Sequence, residues 1–238
     1  MTTYYDLVKN VCVLAHEEKP SSFSSNESPY AEIKKYINNI LEEVCSKFYW
    51  SFREKVYNFG TFPGQKEYEL PSGMLSSDII KDGVRIESNS TPLYFVFHNE
   101  LDSIVQSSGK PYRYSIYANK LILDPTPNGV YSLTIKYLTN NFAYNSDKTE
   151  EKTRLENETD ITILPDNFIK VIEWGAYSLY RQNYKPDNKY KLAREKYLEF
   201  LFDMQKHDRY SGDSNPTIHL RRDFSSNQKI LNDFFRNK

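Results

Sequence analysis

Cysteine is nearly absent from this chain. There are two in 238 residues, Cys12 and Cys45, each at an apolar position of a predicted helix. They read as buried free thiols rather than a disulfide or a redox pair. An excess of either charge is lacking too: 31 Lys and Arg face 32 Asp and Glu, a formal net charge of -1. That balance removes the bulk attraction on which sequence-independent nucleic-acid binding depends. No apolar run approaches the length of a membrane span. The opening Met-Thr-Thr-Tyr-Tyr-Asp has no basic or apolar leader region, so the expectation is a chain made in the cytoplasm without a membrane anchor.

Catalytic signatures are missing as well. There is no Gly-x-x-x-x-Gly-Lys-Ser/Thr phosphate loop, no Gly-x-Gly-x-x-Gly and no Gly-x-Ser-x-Gly nucleophile elbow. His16, His98, His207 and His219 are scattered, and none has a His or Cys partner at metal-ligand spacing. Glu43 and Glu173 lie within predicted helices, and Glu173 beside Trp174 reads as a surface charge next to an aromatic. No residue is assigned to catalysis, to a cofactor or to a metal, and the expectation is a protein that is not an enzyme. A hydrolase with a carboxylate pair outside any motif would show turnover on a cell-wall or glycan substrate.

What the chain has instead is aromatic rings, 15% of residues, with 20 Tyr and 14 Phe. Tyr suits half-buried surfaces, because its ring is apolar and its hydroxyl stays satisfied. Interfaces with copies or partners follow from one reading, a Tyr-filled core and Tyr-faced strands from the other.

The period of the pattern divides the chain. Leu7, Val8, Val11 and Leu14 recur at helical spacing after Thr2 or Thr3 as a cap. Ser28-Pro29 opens a second helix, with Ser28 as cap and Ile33, Ile37, Ile40, Leu41, Val44 and Phe48 on one face. It runs into Trp50 and Phe52, after which the period becomes that of strands, with Tyr68 and Leu70 sharing a face before Pro71. Ile79 to Ile86 predicts a hairpin turning at Asp82-Gly83. Asn99 is expected to cap a short helix over 100–106. Tyr112–Tyr117 and Lys120–Leu123 form strands about Ala118-Asn119, and Tyr131, Leu133, Ile135 and Tyr137 alternate in another. Residues 147–160 read as an exposed charged loop or projecting hairpin. Pro165 starts a third helix carrying the small pair Gly175-Ala176, and Lys185-Pro186-Asp187 precedes a fourth with Tyr190, Ala193, Tyr197, Phe200, Leu201 and Met204.

The expected fold class is therefore α+β. N- and C-terminal helices pack into one helical core, an antiparallel sandwich or barrel-like β section is inserted, and an extended C-terminal arm follows. The expected boundaries are 1–54 for the first helices, 55–140 for the β section, 141–163 for the charged excursion, 164–207 for the last helices and 208–238 for the arm. The arm carries spaced anchors at Ile218, Leu220, Arg221, Arg222, Phe224, Ile230, Leu231, Phe234 and Phe235, too apolar for a purely solvated tail. Trp50, Phe52, Tyr68 and Pro71 are expected to hold a structural helix–β junction.

The order of these pieces resembles a known family. Phe48-Tyr49-Trp50-Ser51-Phe52-Arg53 ends a helix, and Gly64-Gln65-Lys66-Glu67-Tyr68-Glu69-Leu70-Pro71 follows. Ser108-Gly109-Lys110-Pro111-Tyr112, Leu121-Ile122-Leu123-Asp124-Pro125-Thr126-Pro127 and Tyr131 to Tyr137 come next, and Leu164-Pro165-Asp166 leads into the Gly175-Ala176 helix. In this the chain is similar to the head-to-tail connectors of tailed bacteriophages, in particular the tail accessory factors of short-tailed phages. The resemblance implies a structural virion subunit that forms a ring below the portal, commonly of twelve copies. It implies as partners the portal protein, neighbouring copies, a downstream tail component and double-stranded DNA passing through without sequence-specific binding. It places the protein at the portal vertex of the virion. The competing reading is a β-rich binding module that recognises a glycan or a host receptor.

Overall fold

The computed structural model describes residues 1–25, 27–75, 78–86, 91–104, 107–184 and 186–208. Five α-helices are present among them: α1 (Tyr4–Ala15), α2 (Tyr30–Lys47), α3 (His98–Asp102), α4 (Ile169–Asn183) and α5 (Lys189–His207). The strands run in chain order as β1 (Glu54–Gly60), β2 (Glu67–Glu69), β3 (Ile79–Ile86), β4 (Tyr94–Phe95), β5 (Ser108–Gly109) and β6 (Arg113–Tyr117). They continue as β7 (Lys120–Asp124), β8 (Thr126–Pro127), β9 (Ser132–Leu138), β10 (Ala143–Tyr144), β11 (Glu151–Lys152) and β12 (Ile161–Thr162). The chain divides into two compact units, one from Met1–Arg53 with the described residues from Asn141 onward, the other from Glu54–Asn140.

In the helical unit, α4 packs against α1, α2 and α5. Thr3 and Asp6 cap α1 reciprocally, the Asp6 N–H donating to Thr3 Oγ1 at 3.2 Å and the Thr3 N–H to the Asp6 carboxylate at 3.3 Å. Leu7, Val8 and Val11 of α1 and Ile33, Ile37, Ile40, Leu41 and Val44 of α2 lie on the buried faces. Each such aliphatic side chain contributes about 1.5–3 kcal/mol by leaving water. Gly175 is what lets three helices meet: a Cβ there would lie 2.7 Å from Cγ2 of Ile40 in α2 and 2.9 Å from Cδ2 of Tyr197 in α5. Pro165 precedes a 3₁₀ turn, Asp166–Phe168, that leads into α4. At the start of α2, Pro29 takes the cap position expected of Ser28. The Ser28 hydroxyl instead donates to Tyr184 Oη at 2.8 Å.

Residues 141–163 belong to this unit. β10 pairs antiparallel with both β11 and β12, and the Tyr4 N–H donates to the Asp160 carbonyl at 2.7 Å. Leu155 and Asp160 are buried, whereas the tip around Asp147–Glu150 is exposed.

The β unit has two main sheets, ordered β1-β9-β3 and β2-β7-β6-β4, and a small β5-β8 pair. Pairing is antiparallel apart from β4 with β6 and β5 with β8. Val84, Ile86, Leu133 and Ile135 from one sheet share a core with Tyr68, Tyr114, Leu121 and Leu123 from the other. The segment entering β4 passes from sheet to sheet: the Leu93 N–H donates to Val84 at 2.9 Å, and the Tyr94 N–H to Tyr112 at 3.0 Å. Among the described residues the strands do not close into a barrel.

Two local expectations are corrected here. Ile79–Ile86 is one strand along β9, with the register slipping between Ile79 and Val84. Asp82 has the positive φ, 58°, that suggested a turn, but it serves a bulge. Gly83 is required there because a Cβ would lie 2.6 Å from the Ile80 carbonyl and 2.8 Å from that of Lys136. The short helix starts at His98 after Phe97 in the cap position, not after Asn99. The Asn side chain therefore falls inside the first turn.

Candidate functional site

The aromatic run after α2 finishes that helix. The last carbonyls of a helix have no partner within it. The Trp50 indole N–H donates to the Val44 carbonyl at 2.7 Å, and Arg53 Nη1 donates to that of Cys45 at 2.7 Å. Trp50 is buried, with Phe52 stacked on it at 5.7 Å and Phe48 edge-on at 5.5 Å. Asp208, just past α5, holds the same corner: its carboxylate accepts from the Ser51 N–H at 2.8 Å and from the Ser51 hydroxyl. The carboxylate was not found by sequence reading, because 157 positions separate it from Ser51 and no local pattern joins them.

Tyr68 and Pro71 fall in the β unit, while Trp50 and Phe52 fall in the helical one. The Tyr68 hydroxyl stitches its own turn, accepting from the Phe62 N–H at 3.0 Å and donating to the Gln65 carbonyl at 3.0 Å. Burial pushes its pKa up. Pro71 opens the turn to Met74, whose N–H donates to its carbonyl at 3.2 Å. The arm anchors Ile218, Leu220, Arg221, Arg222, Phe224, Ile230, Leu231, Phe234 and Phe235 lie outside the described residues.

The β unit presents an aromatic surface beside β4. Tyr94 is 67% exposed, and Tyr112 is 51% exposed. Both line a shallow groove of about 300 Å³ with Pro92, Pro111 and Lys110. Arg113 lies 4.7 Å over the Tyr112 ring and donates through Nε to the buried Asp124 carboxylate at 2.9 Å. His98 stacks on Tyr117 at 4.2 Å. Rings held rigidly and left in water make apolar contact area at little entropic cost. Sequence reading marked Tyr112–Tyr117 as strand but did not separate its outward rings from its core.

Among the described residues no group of three or more His, Cys, Asp and Glu side chains is placed to hold a metal ion, and no helix is long and apolar enough to cross a membrane. A buried ion pair serves the fold. Asp160 accepts from the Glu156 and Asn157 N–H groups, each at 2.8 Å, and from Lys152 Nζ at 2.9 Å. Burial alone would raise its pKa, but the Asn157 N–H, the Lys152 ammonium and the Glu156 N–H together hold it below the ordinary carboxylate value.

No curated protein matches this sequence. Residues 2–218 match the family described as SU10 adaptor protein. The match spans both units, and on it the chain belongs to the SU10 adaptor protein family, a family of structural phage adaptors rather than of enzymes.

Proposed function

We propose that this chain is a subunit of a phage head-to-tail connector that forms a ring below the portal, extends the DNA channel and offers an attachment surface to the next tail component. The family match over residues 2–218 carries the reading. Three features support the finer assignment. A ring is built from head-to-tail contacts, so each subunit needs two different patches. The arm supplies one, and the outward rings beside β4 supply apolar area for another. A formal net charge of -1 suits a channel wall that DNA passes without being held.

In this reading the arm anchors dock on the portal or a neighbouring copy, and twelve copies match the portal ring. The test is a truncation after Arg209 offered to purified portal rings in a pull-down. The shortened chain keeps its circular dichroism spectrum and binds portal about tenfold more weakly or worse, a loss of at least ~1.4 kcal/mol. Portal binding at the full-length level removes the arm from the assignment. A map of the particle at the portal vertex without this chain removes the ring.

A further inference from the structure

Among the described residues two side-chain polar atoms are buried without a hydrogen-bond partner, Ser115 Oγ and His98 Nδ1. Both belong to one place in the β unit. Tyr114 and Ile116 of β6 face the sandwich core, so Ser115 and Tyr117 point to the opposite face of the sheet. That face carries α3, which packs on β6 and stacks His98 on Tyr117 at 4.2 Å. On it Ser115 is 0% exposed, and its cross-strand partner Ile122 is 4% exposed. Buried polar atoms find partners in nearly every fold. An element that leaves two of them unmet is held in place against a cost.

We propose that α3 is a cover that lifts from β6 as a unit while the sheet beneath it stays folded. α3 has five residues, no side-chain cap and one buried side chain, Leu101. Its backbone hydrogen bonds close on the segment itself. The Glu100 and Leu101 N–H groups donate to the Phe97 carbonyl at 3.0 Å each, and the Ser103 and Ile104 N–H groups donate to the Glu100 and Leu101 carbonyls at 3.2 Å each. These bonds travel with the cover, as does the contact of His98 Nε2 with the Asp102 carboxylate at 3.4 Å. The Val96 N–H, donating to the Tyr114 carbonyl at 2.9 Å, marks the hinge. Opening loses the burial of one leucine and one ring stack, and gains water for Ser115 Oγ and His98 Nδ1. Those opposing terms are of one order, which places α3 among the segments that open locally, far more readily than the sheet. The proposal is independent of the ring reading.

The experiment is native-state hydrogen exchange on the full chain. The Leu101 N–H is expected to be protected at least about tenfold less than the Leu123 N–H of the sheet, which donates to the Lys66 carbonyl at 2.9 Å. A frayed helical turn would show the same, so two variants decide. Ser115→Ala removes one unmet atom, and His98→Phe removes the other while keeping a ring on Tyr117. Each is expected to raise Leu101 protection about tenfold. Ser115→Cys reports the opening directly: its thiol reacts with a maleimide in the native state, whereas Cys12 and Cys45, both buried, react only in denaturant. Leu101 protection unchanged in either variant overturns the proposal, because the unmet atoms then do not govern opening. Leu101 protected as strongly as Leu123, or a Ser115→Cys thiol as slow as Cys45, overturns it also, since α3 then stays on the sheet.

Discussion

The side-chain amide of Asn38 pairs with both backbone groups of Leu155: its Nδ2 donates to the Leu155 carbonyl at 3.0 Å and its Oδ1 accepts the Leu155 N–H at 3.0 Å. The same Nδ2 donates to Tyr4 Oη at 3.0 Å. A residue of α2 thereby imitates a strand partner for the charged stretch, and Leu155 is drawn into the core. Replacing Asn38 by Ala leaves an N–H and a carbonyl unmet, at about 1–3 kcal/mol. Urea unfolding of Asn38→Ala is expected to show that loss, and limited proteolysis to cut first near residues 147–158. Wild-type stability with unchanged cleavage would break the link drawn between α2 and this stretch.

Gly175 sets two effects against each other. Alanine gains about 1 kcal/mol of helix propensity. Its Cβ would meet Ile40 at 2.7 Å and Tyr197 at 2.9 Å, and overpacking at a closed site costs about 1–3 kcal/mol. Both neighbours are fully buried, so packing wins: Gly175→Ala lowers the calorimetric melting temperature and Gly175→Val lowers it further. Pairing Gly175→Ala with Ile40→Ala relieves one contact, so the double variant loses less than the sum of the two single losses. A stabilised Gly175→Ala would show that α4 is not clamped.

The same glycine shows what a single sequence makes legible. Gly175-Ala176 inside an apolar stripe states that something comes close, and the fold class follows from such stripes, from the change of period after Trp50 and from the Ala118-Asn119 turn. Both residues of that turn have positive φ, 48° and 61°. Asp82-Gly83 was misread because a bulge and a hairpin make the same local demand for positive φ, and only the partner strand separates them. Asn38 with Leu155, and Ser51 with Asp208, were illegible because side-chain caps over long separations leave no periodic trace. The outward rings beside β4 were hidden for another reason: aromatic residues favour strands whichever face they occupy.

Gly83 supplies a sharper stability test. Its Cβ would meet the carbonyls of Ile80 and Lys136, at 2.6 and 2.8 Å. These are backbone atoms of two paired strands and cannot rotate away. Gly83→Ala is expected to cost at least about 3 kcal/mol and to lower the denaturant midpoint. Asp82→Gly, which keeps the positive φ, stays near wild type. Equal tolerance of both substitutions would show that the bulge does not constrain β3.

Thiol chemistry reads the helical core directly. Burial pushes the Cys12 thiol up to about 11 and the Cys45 thiol to about 12. The thiolate is the reactive form, so neither reacts appreciably at pH 8 in the native state. An aromatic disulfide reagent is expected to release colour only after denaturant is added, with both thiols reacting. Prompt native reaction of either would mean that α1 or α2 opens from the bundle.

Acid should act through Asp160. Its folded pKa lies below the unfolded value, about 3.9 for an ordinary Asp, so its contribution is complete above that value and fades as pH falls through the folded one. Lys152 has the opposite sign. Hydrogen bonding to Asp160 raises its pKa, so its share is complete below the usual Lys value, near 10.4, and fades as pH rises through the raised one. Asp160→Asn removes a carboxylate that accepts two backbone N–H groups, at about 1.5–3 kcal/mol for a hydrogen bond to charge. It should therefore lower stability at pH 7 and flatten the decline below pH 4, measured as urea midpoints across pH. An unaltered acid limb in Asp160→Asn would assign acid sensitivity to other carboxylates and leave this pair structurally idle.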